Sequence, residues 1–174
     1  MKKSILFFTL CSALIAGCTS KELNREEAFK LIKQGKRYPR VLDYDLYCGD
    51  PEHAKKVLDA GLEAQGLLTV QRTQKLREIG SPLIHFTKKA QGYFLATPES
   101  DKSSNIQKLK LADEELVEVT GIKTGQSGKD AVVEYSTTYK NLTPFSVLVP
   151  TNFKQGPMHN ANFTLYDDGW RLEK

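Results

Sequence analysis

Cysteine is almost missing from this chain. Cys11, Cys18 and Cys48 are its whole supply in 174 residues, which excludes a small secreted scaffold stapled by several disulfides. Histidine is as scarce. His53, His85 and His159 stand apart from one another, and no Cys or carboxylate cluster frames them at ligand spacing, so the sequence offers no metal centre. No apolar run approaches the ~20 residues that a membrane-spanning helix needs. The nearest, residues 5–16, is diluted by Thr9, Cys11 and Ser12. There is no Gly-x-Ser-x-Gly nucleophile elbow. Gly125-Gln126-Ser127-Gly128-Lys129-Asp130 fails as a phosphate loop: Lys123 stands where the first glycine belongs, and Asp130 where a hydroxyl would hold magnesium. A hairpin connection is the better reading of that stretch. The sequence thus implies no cofactor and no recognisable catalytic constellation.

What is present begins with a basic start, Lys2-Lys3, followed by the short apolar run and then Leu14-Ile15-Ala16-Gly17-Cys18. Too short to span, the run reads as the core of a secretory signal. Ala16 and Gly17 are small enough to lie extended in a protease groove. This segment resembles the lipobox of bacterial lipoproteins, with Ile15 in place of the commoner leucine. The resemblance implies a diacylglyceryl group on the Cys18 sulfur, cleavage before Cys18, and a further acyl chain on the new amine. Each buried methylene contributes about 0.8 kcal/mol, and several chains on one residue make a durable anchor. Thr19 follows the cysteine where aspartate would favour inner-membrane retention. The resemblance therefore implies the outer membrane, with the body facing the periplasm, or the outer face of the cell membrane in a Gram-positive cell. Removal of residues 1–17 takes away two lysines and no acid, which leaves 23 basic against 21 acidic side chains. A charge so near balance gives no support to nucleic-acid binding.

The rest of the chain has an ordinary globular balance, 40% hydrophobic and 26% charged. Residues 18–23 read as a lipidated tether. Asn24 caps a helix over about 25–34, with Glu27 three positions on and Gly35 as the stop. Residues 36–47, with Pro39 and the run 41–47, are left between short strand and ordered loop. Asp50-Pro51-Glu52 starts a second helix carrying Ala54, Val57, Leu58, Gly61 and Leu62, ended by Gly66. Short strands follow at 67–72, 83–86 and 93–95. This order resembles a winged-helix half over residues 24–98, although only two helices precede the wing, and Asp59 and Glu63 lie where a DNA reader would carry basic or amide side chains. Residues 99–108, polar and nearly free of apolar side chains, read as a linker. Residues 109–174 read as a small antiparallel sheet, with a loop at 121–128, a strong strand at 131–139, a strand or short helix at 144–149, and a hairpin turning at Asp167-Asp168-Gly169. The expected class is α+β, an N-terminal helical half and a C-terminal antiparallel sheet.

Few side chains ask for a chemical role. The lipobox resemblance implies that Cys18 is the lipidation site. Cys48, the one thiol left after processing, precedes a helix start that would activate it, but a buried small residue is the plainer reading. Asp113, Glu114, Glu115 and Glu118 form an acidic run, and Lys88-Lys89 with residues 102–110 a basic one; both read as solvated faces. Tyr135, Tyr139, Phe145, Phe153, Phe163, Tyr166 and Trp170 read as sheet core. The leading expectation is a non-enzymatic envelope lipoprotein, an interaction or accessory module held on the membrane through Cys18 with an envelope protein as partner. Two alternatives stay open: a small-ligand binder with the aromatic sheet around a pocket, and an envelope hydrolase using Glu134 or Asp167 with a second group that the sequence does not identify.

Overall fold

The computed structural model describes residues 22–173. The signal segment and Cys18 lie outside the described residues. The class is α+β, built on a curled five-stranded antiparallel sheet.

Helix α1 (Arg25–Gly35) starts where Asn24 Oδ1 accepts the Glu27 amide at 2.9 Å. Gly35 does not end it by taking a left-handed conformation; Arg37 does, at φ 57°. Gly35 is needed for space, because a Cβ there would lie 2.6 Å from Leu172 Cδ2. Strand β1 (Arg40–Tyr47) follows, settling residues 40–47 as strand. Helix α2 (Pro51–Asp59) is capped by Asp50 and ends before Gly61, whose φ of 70° breaks the run earlier than the expected stop at Gly66. Strands β2 (Leu68–Val70) and β3 (Ile84–Phe86) form a separate two-stranded sheet. The expected third strand is absent. Residues 88–93 make a 3-10 turn, and Phe94 contributes one bridge to Leu109.

The segment read as a linker forms the one-turn helix α3 (Glu99–Ser103) and leads directly into strand β4 (Ile106–Thr124). Strands β5 (Asp130–Lys140), β6 (Met158–Tyr166) and β7 (Gly169–Leu172) follow by hairpins, and the sheet order is β1-β4-β5-β6-β7. β1 therefore pairs across the expected boundary between residues 98 and 109, with Arg40 opposite Glu114 and Tyr47 opposite Ile106.

β4 is 19 residues long and carries three bulges, at Leu111, Val117 and Thr120, each facing no partner residue. Bulges bend a strand and increase its twist, and here they keep one face of β4 turned inward along its length. Leu109, Leu111, Ala112, Glu114 and Val119 are all buried, although their spacing breaks a simple alternation. Two apolar clusters sit along this face. One gathers Leu46, Val57, Leu68, Ile84, Leu109 and Phe145. The other gathers Leu23, Ile32, Val119, Val133, Phe163 and Trp170. α1 thus serves the C-terminal strands, while the 3-10 turn at 144–148 serves α2 and the β2–β3 hairpin. The two helices of the winged-helix-like half lie in different clusters, and β1 packs with the one that holds α2. No described helix is long and apolar enough to cross a membrane.

Candidate functional site

Between the two clusters lies a buried polar network centred on Glu114, which is only 1% exposed. Strand pairing assembles it. Residues opposite each other in antiparallel strands share a face, and Arg40 pairs with Glu114, Glu114 with Tyr139, Leu116 with Thr137, and Tyr135 with His159. The Arg40 guanidinium meets Glu114 Oε2 at 2.6 Å. On the other oxygen, Oε1 accepts from Thr137 Oγ1 at 2.7 Å and lies 3.2 Å from His159 Nε2. His159 Nε2 is also 3.0 Å from Thr137 Oγ1. An ionised carboxylate only accepts, so Thr137 donates its hydroxyl hydrogen to Glu114, and a hydrogen on His159 Nε2 completes the triangle. Tyr135 stacks on the His159 ring at 5.1 Å, and Arg40 lies 5.4 Å over the Tyr38 ring.

Burial pushes the Glu114 carboxyl upward, but the Thr137 hydrogen bond and the Arg40 guanidinium outweigh it and hold the group below its ordinary value near 4.5. Tyr38 is raised, first by burial, then by its hydrogen bond to Tyr135 and the nearby Glu114 charge. A carboxyl depressed by folding contributes stability that is present above its unfolded value and lost as pH falls through the folded one. Urea unfolding midpoints are therefore expected to fall as pH drops below about 4.5, and Glu114→Gln is expected to flatten that decline. Some slope remains in the variant, because Lys110 and Asn141 hold Asp113 low as well. An unchanged slope in Glu114→Gln would contradict this account.

The triangle is not a nucleophile relay. Thr137 and Glu114 contact the same imidazole nitrogen, so no carboxylate orients the ring from its far side, as a triad requires. Thr137 is 2% exposed and beyond a substrate's reach. The arrangement fixes the strands relative to one another.

The other residues singled out in the sequence are scattered. Glu134 is exposed, opposite Gly121 and Asn160. Asp167 is exposed in the β6–β7 turn. Asn160 and Tyr166 are six steps apart along β6, or roughly 20 Å of strand, so Glu134 and Asp167 do not flank one bond. Asp130 closes the β4–β5 turn by accepting from Ser127 Oγ at 2.5 Å, as a hairpin does. His53 Nδ1 accepts the Tyr47 amide at 3.1 Å, and its ring stacks on Tyr44. His159 belongs to β6. Cys48 is buried, and burial pushes its thiol up to about 11, away from reactivity. Among the described residues, no group of three or more His, Cys, Asp and Glu side chains is arranged to hold a metal ion. The acidic run is a solvated face except at Glu114: Asp113 pairs with Lys110 and Glu115 with Lys140, at 2.7 and 2.6 Å.

An open cleft of about 370 Å³ lies at the other end of the molecule from α1, between β3 and the start of β4. Cys48, Pro82, Ile84, Phe86, Lys102 and Ile106 are among its walls. It is not enclosed by the aromatic sheet: Tyr135, Phe145, Phe163 and Trp170 are buried in the two clusters. Beside the cleft the chain bulges in a loop, residues 71–83, that exposes Leu76 at 86% and Ile79 at 70%. Asn105 Nδ2, on the cleft wall, ties that loop down by donating to Gly80 C=O at 3.1 Å. Neither a scan against protein-family models nor searches of the curated proteins and the solved structures found a match.

Proposed function

We propose that this protein is a lipid-anchored cell-envelope lipoprotein that works as a non-enzymatic interaction or accessory module, with its body in the periplasm and its anchor in the outer membrane. The observation that carries the reading is the lipobox ending at Cys18, set five residues before the buried Leu23. Five extended residues reach about 17 Å, so an acylated Cys18 holds the folded body close against the bilayer. Leu23 belongs to the cluster at the α1 end, and Arg25 of α1 donates to Thr120 C=O at 3.1 Å. That end of β4 then lies near the lipid, and the cleft end points away from it. The helix α2 and the β2–β3 hairpin, winged-helix-like in sequence order, serve packing and contact in this reading and read no nucleic acid.

Supporting the module role are the large apolar side chains of Leu76 and Ile79, left in solvent on a loop that its own hydrogen bonds hold in place. A second reading, a small-ligand binder, is favoured by the cleft, whose volume falls in the range of ligand sites. Cells fed labelled palmitate are expected to mark the wild-type chain and to leave Cys18→Ala unmarked and unprocessed. Label retained by Cys18→Ala would sink the anchor. Crosslinking in cells is expected to join the 71–83 loop to a defined envelope protein; a ligand that raises the melting temperature, with no crosslinked partner, would favour the second reading.

A further inference from the structure

Leu76 and Ile79 form a knob. The chain makes one 3-10 turn over Leu76–Glu78, and Ile79 N–H closes it on Leu76 C=O at 3.5 Å. Side chains three residues apart on such a turn eclipse one another, so both apolar groups leave the loop on one side. The loop beneath them is held from within. Glu78 Oε2 accepts from Gln71 Nε2 and from the Lys75 amide, each at 3.1 Å, and Gln74 Nε2 donates to Ser81 C=O at 3.0 Å. Side chains presented by a loop already in place lose less ordering entropy when they are buried by a partner.

Knob and cleft stand at the same end of the molecule. Pro82 belongs both to the loop and to the cleft wall, and Asn105 on that wall holds Gly80. Pro82, Phe86 and Ile106 are the half-buried apolar side chains of the wall. Each side has one charge left over. In the loop, Arg72 pairs with Glu63 at 2.6 Å and Arg77 reaches Glu78 at 3.9 Å, while Lys75 has no ion pair among the described residues. On the cleft wall, α3 sets Glu99 against Lys102 at 3.2 Å, while Asp101 has no ion pair among the described residues. One surface thus carries a protruding apolar pair beside a spare cation, and a cleft beside a spare anion. A two-fold contact between identical chains requires a patch that complements itself in this way.

We propose that two copies of this chain clasp at this end, each seating Leu76 and Ile79 in the other's cleft and setting its Lys75 against the other's Asp101. The proposal rests on the envelope reading and names the loop's partner as a second copy. Copies anchored through Cys18 in one bilayer stand the same way up, with the two-fold axis along the membrane normal. The surfaces that meet must then lie at equal height, which knob and cleft do because they share one end of the body. Confinement to one membrane also raises the effective concentration of the partner. The seated aliphatic pair makes the apolar centre of the contact, and the flanks of the loop and α3 its polar rim.

The test uses the full acylated chain in detergent micelles and reads its mass by sedimentation equilibrium. The wild type is expected to be a dimer. Leu76→Glu, Lys75→Glu and Asp101→Lys are each expected to weaken it about tenfold or more, without a change in melting temperature. Lys75→Glu and Asp101→Lys combined in one chain are expected to restore the wild-type affinity. Under mild oxidation a Leu76→Cys chain is expected to crosslink to a Lys102→Cys chain, and neither to a Glu134→Cys chain. A wild type that is monomeric at every concentration reached, a charge swap no tighter than its single variants, or Leu76→Cys chains that join only each other would overturn the proposal. So would a monomer that attaches to lipid vesicles through Leu76, which would assign the knob to lipid. The envelope reading fails separately. A monomer whose 71–83 loop crosslinks in cells to a different envelope protein loses the clasp and keeps the module role; a monomer with no partner on that loop loses both.

Discussion

Replacing Glu114 with alanine is expected to destabilise the protein by about 3–4 kcal/mol, within the range for breaking a buried ion pair. The carboxylate is 2% exposed at its side chain and is shared by Arg40, Thr137 and His159. Its removal leaves the Thr137 hydroxyl buried without its acceptor and opens a void between two packed clusters. Arg40→Ala is expected to cost less, about 2 kcal/mol, because the guanidinium is 46% exposed and already shares its charge with water. The double variant Arg40→Met with Glu114→Leu separates the explanations. When both charges leave and apolar volume replaces them, most but not all of the loss is expected to be recovered, since pairing inside a protein only roughly repays the cost of desolvation and Thr137 keeps only His159 Nε2, at 3.0 Å, as a side-chain partner. Urea midpoints at neutral pH measure all three. A double variant as unstable as Glu114→Ala would mean that the network contributes more than charge compensation.

Gly156→Ala is the second large effect. Gly156 has no positive φ to require glycine; it is held by space. A Cβ there would lie 2.0 Å from the Thr137 carbonyl oxygen and 3.1 Å from its carbon. Both are backbone atoms of a central strand, and Thr137 N–H is also bound to Pro157 C=O at 3.1 Å. The strand or the loop must move, and the move reaches the Glu114 network through Thr137. The expected cost is about 2–3 kcal/mol, or a fall in melting temperature of about 5–10 °C for a chain of this size. Gly92→Ala is the control, since its Cβ would meet nothing within 4 Å. Gly35→Ala should fall between the two, because only the far end of the flexible Leu172 side chain is in its way. A neutral Gly156→Ala would show that the 141–157 connection does not pack on β5 as described.

Local signals in the sequence carried much of the fold. Asn24 and Asp50 cap the two main helices as their side chains predict, and the β5 strand and the Asp-Gly turn into β7 stand where β-branched and turn residues put them. The sheet's membership was not legible. Residues 40–47 carry Asp43 and Asp45 amid apolar side chains, and only pairing with β4 makes them strand; Lys108 then bridges both acids, at 2.8 and 2.6 Å. Glu114 was hidden for a related reason. It sits in an acidic run that reads as surface, and bulges at Leu111 and Val117 break the alternation that would have marked it as inward. Thr137 was legible, two residues from the buried Tyr135 on a clean alternating strand. His159 becomes visible as an inward residue only because β6 starts as early as Met158, which puts it in phase with Ala161 and Phe163.

The proposed anchor is a set of acyl chains carried by one residue, Cys18, on its sulfur and its amine. Intact-mass measurement of the protein taken from its native membrane tests it most directly. The account predicts a mature chain that begins at Cys18 and carries added mass equal to a diacylglyceryl group plus an amide-linked acyl chain. A polypeptide with an unmodified Cys18, whether the leader is retained or cut elsewhere, would contradict it.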